Sequence, residues 1–438
     1  MKRRRLTAVV ACMAMTASLL AGCGQSAQES AAVEAENAAD QASVTENAAR
    51  EEKSGSAEET VTLTIAARGG SHVDVINAVK DKFETEHNVE IEVLGLEADE
   101  LKQKVALDAM NAEGTYDIVM IDDPVMPEFM ENGVLLNLTQ EGYADDADFV
   151  EASLALGKHP YATGDTYALP FSGNVQLLFY NKDVLGEIGE DVPESWEDVL
   201  SVCQKAKDAG KNGYIIRGQQ GNPIVSDYLP LLWAYGGDVF DEEWNVTVNS
   251  EEAKAAMEMY LQLLETGANY EKNDMVATIS DGSSTMGLGW PSWFIADGSA
   301  AADYAVIPGK VTADAKSYAS GEIGNWMMGV PANCQNKDLA IELLTYLTSE
   351  DVQKTAVDVG AVPTRNSVFT NEEIIAKYPY LKTLKEGTEN SVVRPRTPKW
   401  SSVEEAYGAE LSNIVTGVKT VDQGLDDAKT AIEAIMAN

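Results

Sequence analysis

Short apolar strands and helical segments alternate from Val61 onward, and this order constrains the fold more than any other feature of the chain. The strand VTLTIAA is followed by a helix predicted near Val73 to Glu86, the strand VEIEVLGL, a helix predicted near Asp99 to Ala112, and the strand YDIVMID. Strands that alternate with helices form a parallel sheet covered on both faces, and polar ligands bind at the carboxyl ends of its strands. The sequence therefore predicts an α/β fold whose functional site lies at those strand ends.

Two aspartates, Asp122 and Asp123, stand at the end of YDIVMID. Adjacent residues of an extended strand direct their side chains to opposite faces, so the pair cannot flank one scissile bond as a glycosidase requires. A metal site would need further ligands, and only Glu128 stands at a plausible distance. We therefore expect Asp123 to accept hydrogen bonds from a polar solute, while Asp122 caps the turn or shares that task. Arg68 and His72, in ARGGSH after the first strand, are candidates by position alone.

The amino terminus has the composition of an export signal. Residues 2–5 are basic, a short apolar stretch follows, and small residues precede Cys23. Residues 1–22 are therefore expected to be a signal peptide that belongs to no fold. Residues 23–60 are rich in Ala, Glu and Ser and contain no aromatic residue or proline, so we expect a disordered tether.

The chain is strongly acidic, with 71 Asp and Glu residues against 32 Lys and Arg and a formal net charge of −39. Such a surface repels phosphate backbones and anionic lipid headgroups, which argues against nucleic-acid binding and against membrane docking by charge. The solute is expected to be neutral or cationic, and the charge does not distinguish these two classes.

The cysteines and histidines are dispersed along the chain. Cys203 and Cys334 have no metal-ligand spacing, and we expect two buried free thiols rather than a disulfide. His72, His87 and His159 are likewise dispersed, so the sequence indicates no zinc site, and no cofactor is expected.

The later part of the chain predicts a second body. Tyr167–Leu185 is long and extended, as a strand passing between two bodies would be, and Ser195 is placed to cap a following helix that begins at Trp196. Strand character returns at YAVIPGK and GNWMMGVPA. Roughly 380 residues follow the tether, more than one core usually holds, so two lobes are expected.

Seven segments in this order resemble the family 1 extracellular solute-binding proteins, lipoproteins that supply carbohydrates to ABC importers, and most closely the maltose- and trehalose-binding type. They are YDIVMIDDPVMPEFMENGVLLNLT, ALPFSGNVQLLFYNKDVL, PESWEDVL, MGLGWPSW, GNWMMGVPANCQNKDLAIELLTYLTSED, GAVPTRNS and RPRTPKW. The likeness extends over 61–438. LAGC, at 20–23, resembles the bacterial lipobox, which implies a lipid on Cys23.

The resemblance implies a two-lobed periplasmic-binding-protein-like fold with crossing hinge strands and a ligand cleft between the lobes. Residues 61–171 with 303–357 would form lobe 1, and residues 172–302 with 358–438 would form lobe 2. Closure around the solute would signal the ABC permease. The expected protein is then a nonenzymatic monomer on the extracytoplasmic face of the cell membrane, anchored by its lipid, with a carbohydrate and the permease transmembrane subunits as partners.

A sugar offers C–H faces to aromatic rings and a rim of hydroxyl groups to planar polar groups. The candidate stacking residues are Trp233, Trp290, Trp293 and Trp326, and the candidate polar residues are Asp122, Asp123, Asn174, Arg365, Arg394, Arg68 and His72. The resemblance assigns Asp123 and Arg394 to sugar hydroxyls. Trp233 and Arg365 either contact ligand or only pack. The maltose and trehalose type carries an acid where this chain has Asn174 and often an aromatic residue at Val125, which leaves the particular sugar open.

Two other functions remain open. A secreted glycoside hydrolase would also display acids and tryptophans. A binding protein for a cationic solute such as a polyamine would suit the acidity, and its cleft would hold an aromatic box with several acids and no arginine.

Overall fold

The computed structural model describes residues 60–319 and 321–437, with the backbone alone at 295–297. The expected signal peptide, Cys23 and the tether up to residue 59 lie outside the described residues. Within the described part, no helix has the length and apolar character needed to cross a membrane.

The strands are β1 (Val61–Arg68), β2 (Val89–Leu96), β3 (Ile118–Asp122), β4 (Lys158–His159), β5 (Asp165–Thr166), β6 (Ala168–Ser172), β7 (Leu177–Asn181), β8 (Asn212–Ile216), β9 (Ala268–Asn269), β10 (Ser284–Gly289), β11 (Ala302–Ala305), β12 (Glu322–Ile323), β13 (Trp326–Gly329) and β14 (Val392–Val393). The helices are α1 (Ser71–His87), α2 (Ala98–Asp108), α3 (Met126–Glu131), α4 (Glu151–Ala155), α5 (Lys182–Ile188), α6 (Trp196–Asp208), α7 (Asn222–Ala234), α8 (Glu251–Thr266), α9 (Lys272–Ser280), α10 (Pro291–Asp297), α11 (Lys337–Leu347), α12 (Glu350–Asp358), α13 (Asn366–Phe369), α14 (Glu372–Lys377), α15 (Leu381–Asn390), α16 (Trp400–Val415) and α17 (Val421–Ala437). A short 3₁₀ helix spans Asp123–Val125.

The first lobe is built on a five-stranded sheet in the order β2-β1-β3-β13-β6. β1 pairs in parallel with both β2 and β3, as the alternating pattern predicts. The sheet is nevertheless mixed, because β13 runs antiparallel to β3 and to β6. The central strands bury side chains on both faces, as the adjacent residues Ile65 and Ala66 show, since helices cover both sides of the sheet.

The second lobe is built on a sheet in the order β11-β7-β10-β8-β9. Ser195 caps α6, as predicted, because its Oγ accepts from the Asp198 backbone N–H at 3.2 Å, and Trp196 is buried in this lobe. Cys203 and Cys334 are free and buried, which confirms the prediction of two unpaired thiols.

The chain changes sheets later than the sequence suggests. β11 completes the edge of the second sheet by antiparallel pairing with β7, and Ile307 still packs in the second core. The return to the first sheet therefore falls between Ile307 and Trp326, and the expected boundary at residue 303 is wrong.

Three segments that pass between the lobes lie side by side and are called here the hinge: residues 173–176, 322–325 and 392–394. β12 pairs in parallel with β14. The Gly324 N–H donates to the Asn174 carbonyl at 3.0 Å, and the Gln176 N–H donates to the Glu322 carbonyl at 2.9 Å. The extended segment predicted at Tyr167–Leu185 is thus two strands of different sheets joined through the hinge, followed by α5.

At Gly324 the hinge backbone packs closely against the Trp290 ring of the second lobe. A Cβ at this position would lie 2.6 Å from Cη2 of Trp290. We expect Gly324→Ala to lower the free energy of unfolding by about 1–3 kcal/mol, because the indole or the hinge must move. Gly186→Ala is the matched control, since nothing lies within 4 Å of its Cβ position. Urea unfolding measures both; equal stability of the two variants would contradict the packing described here.

Candidate functional site

A cavity of about 830 Å³ lies between the lobes. It is bordered by the carboxyl end of β3 and by the adjacent amino end of β13. Its first-lobe wall includes Asp99, Lys102, Asp122, Val125, Phe129 and Trp326. Its second-lobe wall includes Gln220, Gly221, Asn222, Ser401, Glu404 and Glu405. The expected interlobe cleft is therefore present, and the starts of α2, α7 and α16 contribute to it.

Asp122 and Trp326 form one continuous part of the wall. The antiparallel register of β3 and β13 places Trp326 directly opposite Asp122. The Asp122 side chain is 33 % exposed, and the Trp326 indole is half-buried with its ring centroid 5.6 Å from that of His72. A ring for stacking and a carboxylate for hydrogen bonding thus stand next to each other.

Asp123 does not face the cavity, which corrects the prediction. Its side chain is fully buried, with Oδ1 2.7 Å from Arg394 Nη2 and Oδ2 3.1 Å from Arg396 Nη1. The two neighbouring aspartates diverge as expected for an extended strand end. The carboxylate that meets the cavity is that of Asp122, which the sequence offered as a second candidate.

Arg394 was expected to bind sugar hydroxyls, and the structure places its side chain beneath the cavity wall. Its guanidinium is engaged by Asp123 and by Glu322, whose Oε1 lies 2.8 Å from Nε. Carboxylate oxygens of Asp122 and Glu404 lie 3.7 and 3.9 Å away. Buried charges require such partners, and Arg394 has only 2 % of its surface exposed.

Burial within this acid-rich group raises the pKa of three carboxyl groups. Burial, partly offset by Arg394, raises the pKa of Asp122 to about 7 and that of Glu322 to about 8. The same two opposing effects leave the pKa of Glu404 above its usual value. The group therefore tends to retain protons near neutral pH.

The other three candidate tryptophans lie away from the cavity. Trp233 packs in the second core, and its Nε1–H donates to Asp238 at 3.3 Å, so packing is its role here. Trp290 is buried against Gly324. Trp293 is half-buried, with the Arg217 guanidinium 5.0 Å from its ring centroid.

Arg365 is a packing residue, and the alternative of ligand contact is not supported. Its Nη1 lies 2.6 Å from Asp146 and 3.3 Å from Asp148, and its Nε donates to the Thr348 carbonyl at 2.7 Å. The guanidinium also covers the Phe149 ring.

Arg68, His72 and Asn174 are near the hinge or strand ends but do not line the cavity. Arg68 donates to the Leu96 carbonyl at 3.0 Å and pairs with a neighbouring glutamate. Burial and the charge of Arg68 lower the pKa of His72 to about 4, so this ring beside Trp326 is neutral. The Asn174 backbone N–H donates to Asn325 Oδ1 at 2.9 Å, which ties the asparagine to the hinge.

Several cavity residues were not predicted from the sequence. Asn222 Nδ2 donates to Glu404 at 2.9 Å, and Lys102 Nζ donates to Ser401 across the cavity at 2.9 Å. Gly221, at φ 81°, precedes α7 and marks the turn that exposes Asn222. That glycine is the one local signal, because Ser401 and Glu404 look like ordinary polar residues near the start of a helix.

No group of three or more His, Cys, Asp or Glu side chains in the described ranges is arranged to hold a metal ion. The acids around Arg394 are instead bound by guanidinium groups.

The family profile described as bacterial extracellular solute-binding protein matches residues 69–354. The chain belongs to this family. Relatives include a "Probable ABC transporter-binding protein" of Deinococcus radiodurans, 25% identical over 58% of this chain and 65% of that protein, which is just under two thirds of its length. A mannitol-binding protein of Pseudomonas aeruginosa is 24% identical over 84% of this chain and 91% of its own length.

A solved structure supports the fold. The GacH receptor of Streptomyces glaucescens, determined unliganded and with acarbose, superimposes with a TM-score of 0.77 at 23% identity, over 87% of this chain and 100% of that one. The predicted family and the two-lobed α/β fold are confirmed.

The two aspartates differ in their effect on stability. Asp123→Asn is expected to lower the free energy of unfolding by about 3 kcal/mol, because it leaves two buried guanidinium groups without a full counter-charge. Asp122→Asn, the matched control, is expected to change it by less than about 1 kcal/mol. Circular dichroism during urea unfolding measures both, and a stable Asp123→Asn variant would contradict the burial of this carboxylate.

The retained protons make stability depend on pH. An ordinary carboxyl group ionises near pH 4 in the unfolded chain, whereas Asp122 and Glu322 ionise at about 7 and 8 when folded. The folded state thus binds more protons between these values, so the free energy of unfolding should fall as pH rises from 6 to 8.5, by up to about 1.4 kcal/mol per pH unit for each retained proton.

Glu322→Gln should make this fall shallower, and the exposed-site control Glu113→Gln should keep the wild-type slope. Urea unfolding at several pH values gives the slopes; a flat wild-type profile, or identical slopes in all three proteins, would refute the retained protons.

Proposed function

We propose that this protein binds a carbohydrate or a related polyol in the interlobe cavity and delivers it to the permease of an ABC importer. The observation that carries the proposal is the pairing of Trp326 with Asp122 at the cavity wall. An indole ring covers the C–H face of a sugar, and a carboxylate accepts from its hydroxyl groups. The mannitol-binding relative and the acarbose-bound Streptomyces receptor support a polyhydroxylated solute.

The size and polarity of the cavity support a di- or oligosaccharide. Its volume of about 830 Å³ lies toward the upper end of the roughly 300–1,000 Å³ usual for small-molecule sites. The amide groups of Gln220 and Asn222 and the Ser401 hydroxyl can donate to and accept from sugar hydroxyls on the second-lobe side.

We further propose that the protein binds without catalysis on the extracytoplasmic face of the cell membrane. The extracellular family supports the location. The LAGC sequence supports a lipid on Cys23, and the Ala/Glu/Ser-rich residues after it support a tether that holds the lobes away from the membrane. Closure of the lobes around the solute would form the surface that the permease recognises.

A cationic solute is the second candidate, and the charge of the cavity wall favours it. Asp99, Asp122, Glu404 and Glu405 line the cavity against one lysine, Lys102. Lys102 is itself held by Glu128 at 3.0 Å. A polyamine site should contain no arginine at its wall. Arg394 is buried beneath the wall and does not line the cavity, so it does not count against a polyamine.

A thermal-shift screen distinguishes these candidates. The purified protein is heated with mono-, di- and oligosaccharides, with polyols and, in parallel, with polyamines. A ligand at 100 times its Kd adds about 2.7 kcal/mol to the free energy of unfolding. A shift with sugars or polyols alone supports the main proposal, whereas a shift with polyamines alone supports the second candidate. Release of new reducing ends from an oligosaccharide would indicate a hydrolase instead.

Trp326→Ala is expected to weaken binding of the sugar that gives the largest shift by at least about tenfold, equivalent to about 1.4 kcal/mol, because the stacking surface is lost. The matched control is Trp244→Ala, since Trp244 is 47 % exposed outside the cavity wall. Isothermal titration calorimetry measures both. Unchanged affinity in a folded Trp326→Ala variant would remove the proposed site.

A further inference from the structure

We propose that Arg394 is a positioning residue that holds the two lobes in their closed arrangement by offsetting the repulsion between carboxylates of opposite lobes. It follows β14 in the hinge and has only 2 % of its surface exposed. Arg394 would act on the arrangement of the lobes and would not contact the solute. The inference therefore goes beyond the proposed function and is tested without any sugar.

Each nitrogen of the Arg394 guanidinium lies near an acid from a different segment of the chain. Nη2 lies 2.7 Å from Asp123 in the first lobe, and Nε lies 2.8 Å from Glu322 in the hinge. Nη1 lies 3.9 Å from Glu404, which belongs to α16 in the second lobe. One side chain therefore contacts acids of both lobes and of the hinge between them.

The balance of charge makes this cation necessary. The ionisable groups around the guanidinium are Asp122, Asp123, Glu322, Glu404 and Arg396. Four carboxyl groups thus share two guanidinium groups. Arg396 cannot replace Arg394, because it is directed to Asp123 and to the Leu156 carbonyl. Without Arg394, acids of the two lobes would face each other with little compensation, and like charges at close range oppose association.

Lysine cannot supply the same geometry. A guanidinium presents donors in a rigid fork and can serve several carboxylates at once, whereas an ammonium group is one compact charge on a flexible stem. In Arg394 one nitrogen donates to Asp123 at 2.7 Å, and the other two lie within ion-pair distance of Glu322 and Glu404. Arg394→Lys should therefore keep a charge in the group but lose part of the connection between the lobes.

Cross-linking across the cavity reports the closed arrangement directly. Lys102 in the first lobe and Ser401 in the second lie in contact, with Nζ 2.9 Å from Oγ. In the full-length protein, Lys102→Cys with Ser401→Cys is treated with a short bismaleimide, and the rate of cross-linking is measured at pH 7.5 and 5.5. Proteins with one of the two substitutions control for reaction with the native cysteines.

Adding Arg394→Met to this parent is expected to slow cross-linking about tenfold at pH 7.5, because closure must then bury acids of both lobes without their counter-charge or with added protons taken from solution. At pH 5.5, where proton uptake by Asp122, Glu322 and Glu404 costs less free energy, the rate should return to within about threefold of the parent at the same pH. Arg394→Lys should lie between the two. A residue that only fills space would give no such recovery at the lower pH.

Arg394→Met combined with Glu404→Gln is the decisive companion variant, because it removes the second-lobe acid together with the cation and so removes the repulsion between the lobes. We expect its cross-linking rate to be within about threefold of the parent rate at pH 7.5. This variant also tests the proposal if Arg394→Met alone does not fold. The proposal is overturned if Arg394→Met matches the parent at pH 7.5, if it is equally slow at both pH values, or if the double variant is about tenfold slow.

Discussion

Asp123 is fully buried between the guanidinium groups of Arg394 and Arg396, and the form of the site depends on this arrangement. A buried carboxylate is tolerated only when charged partners satisfy it, so Asp123 is committed to the interior. The preceding residue, at the end of β3, faces the other way, which leaves Asp122 as the carboxylate at the cavity. Because Arg394 belongs to the hinge, these ion pairs also join the first lobe to the hinge.

Local patterns in the sequence predict the fold well, and the reason is physical. The alternation of apolar strands and helices after Val61 predicts β1 to β3 and their parallel pairing, since each strand signal is contained in a few neighbouring residues. Ser195 is recognised as a helix cap for the same reason. The edge strand β11 is assigned to the wrong lobe because its partner, β7, is more than 100 residues earlier, and edge pairing leaves little trace in composition.

The site is predicted only in part, because its residues are selected by distant contacts. A carboxylate at the end of β3 can be predicted, but whether Asp122 or Asp123 reaches the cavity depends on Arg394, which lies 271 residues further along the chain from Asp123. Glu404 has the local appearance of any acid on a helix surface. A tryptophan flanked by glycine and proline serves equally well for packing, as Trp290 does, and only the fold decides between packing and exposure.

The most direct test is a crystal structure of the protein grown with the sugar that best stabilises it. We expect the sugar to lie in the interlobe cavity with its ring over Trp326 and a hydroxyl group bonded to Asp122, while Asp123 keeps both of its guanidinium partners. A sugar bonded to Arg394 or Asp123, or bound away from Trp326, would contradict this arrangement of the site.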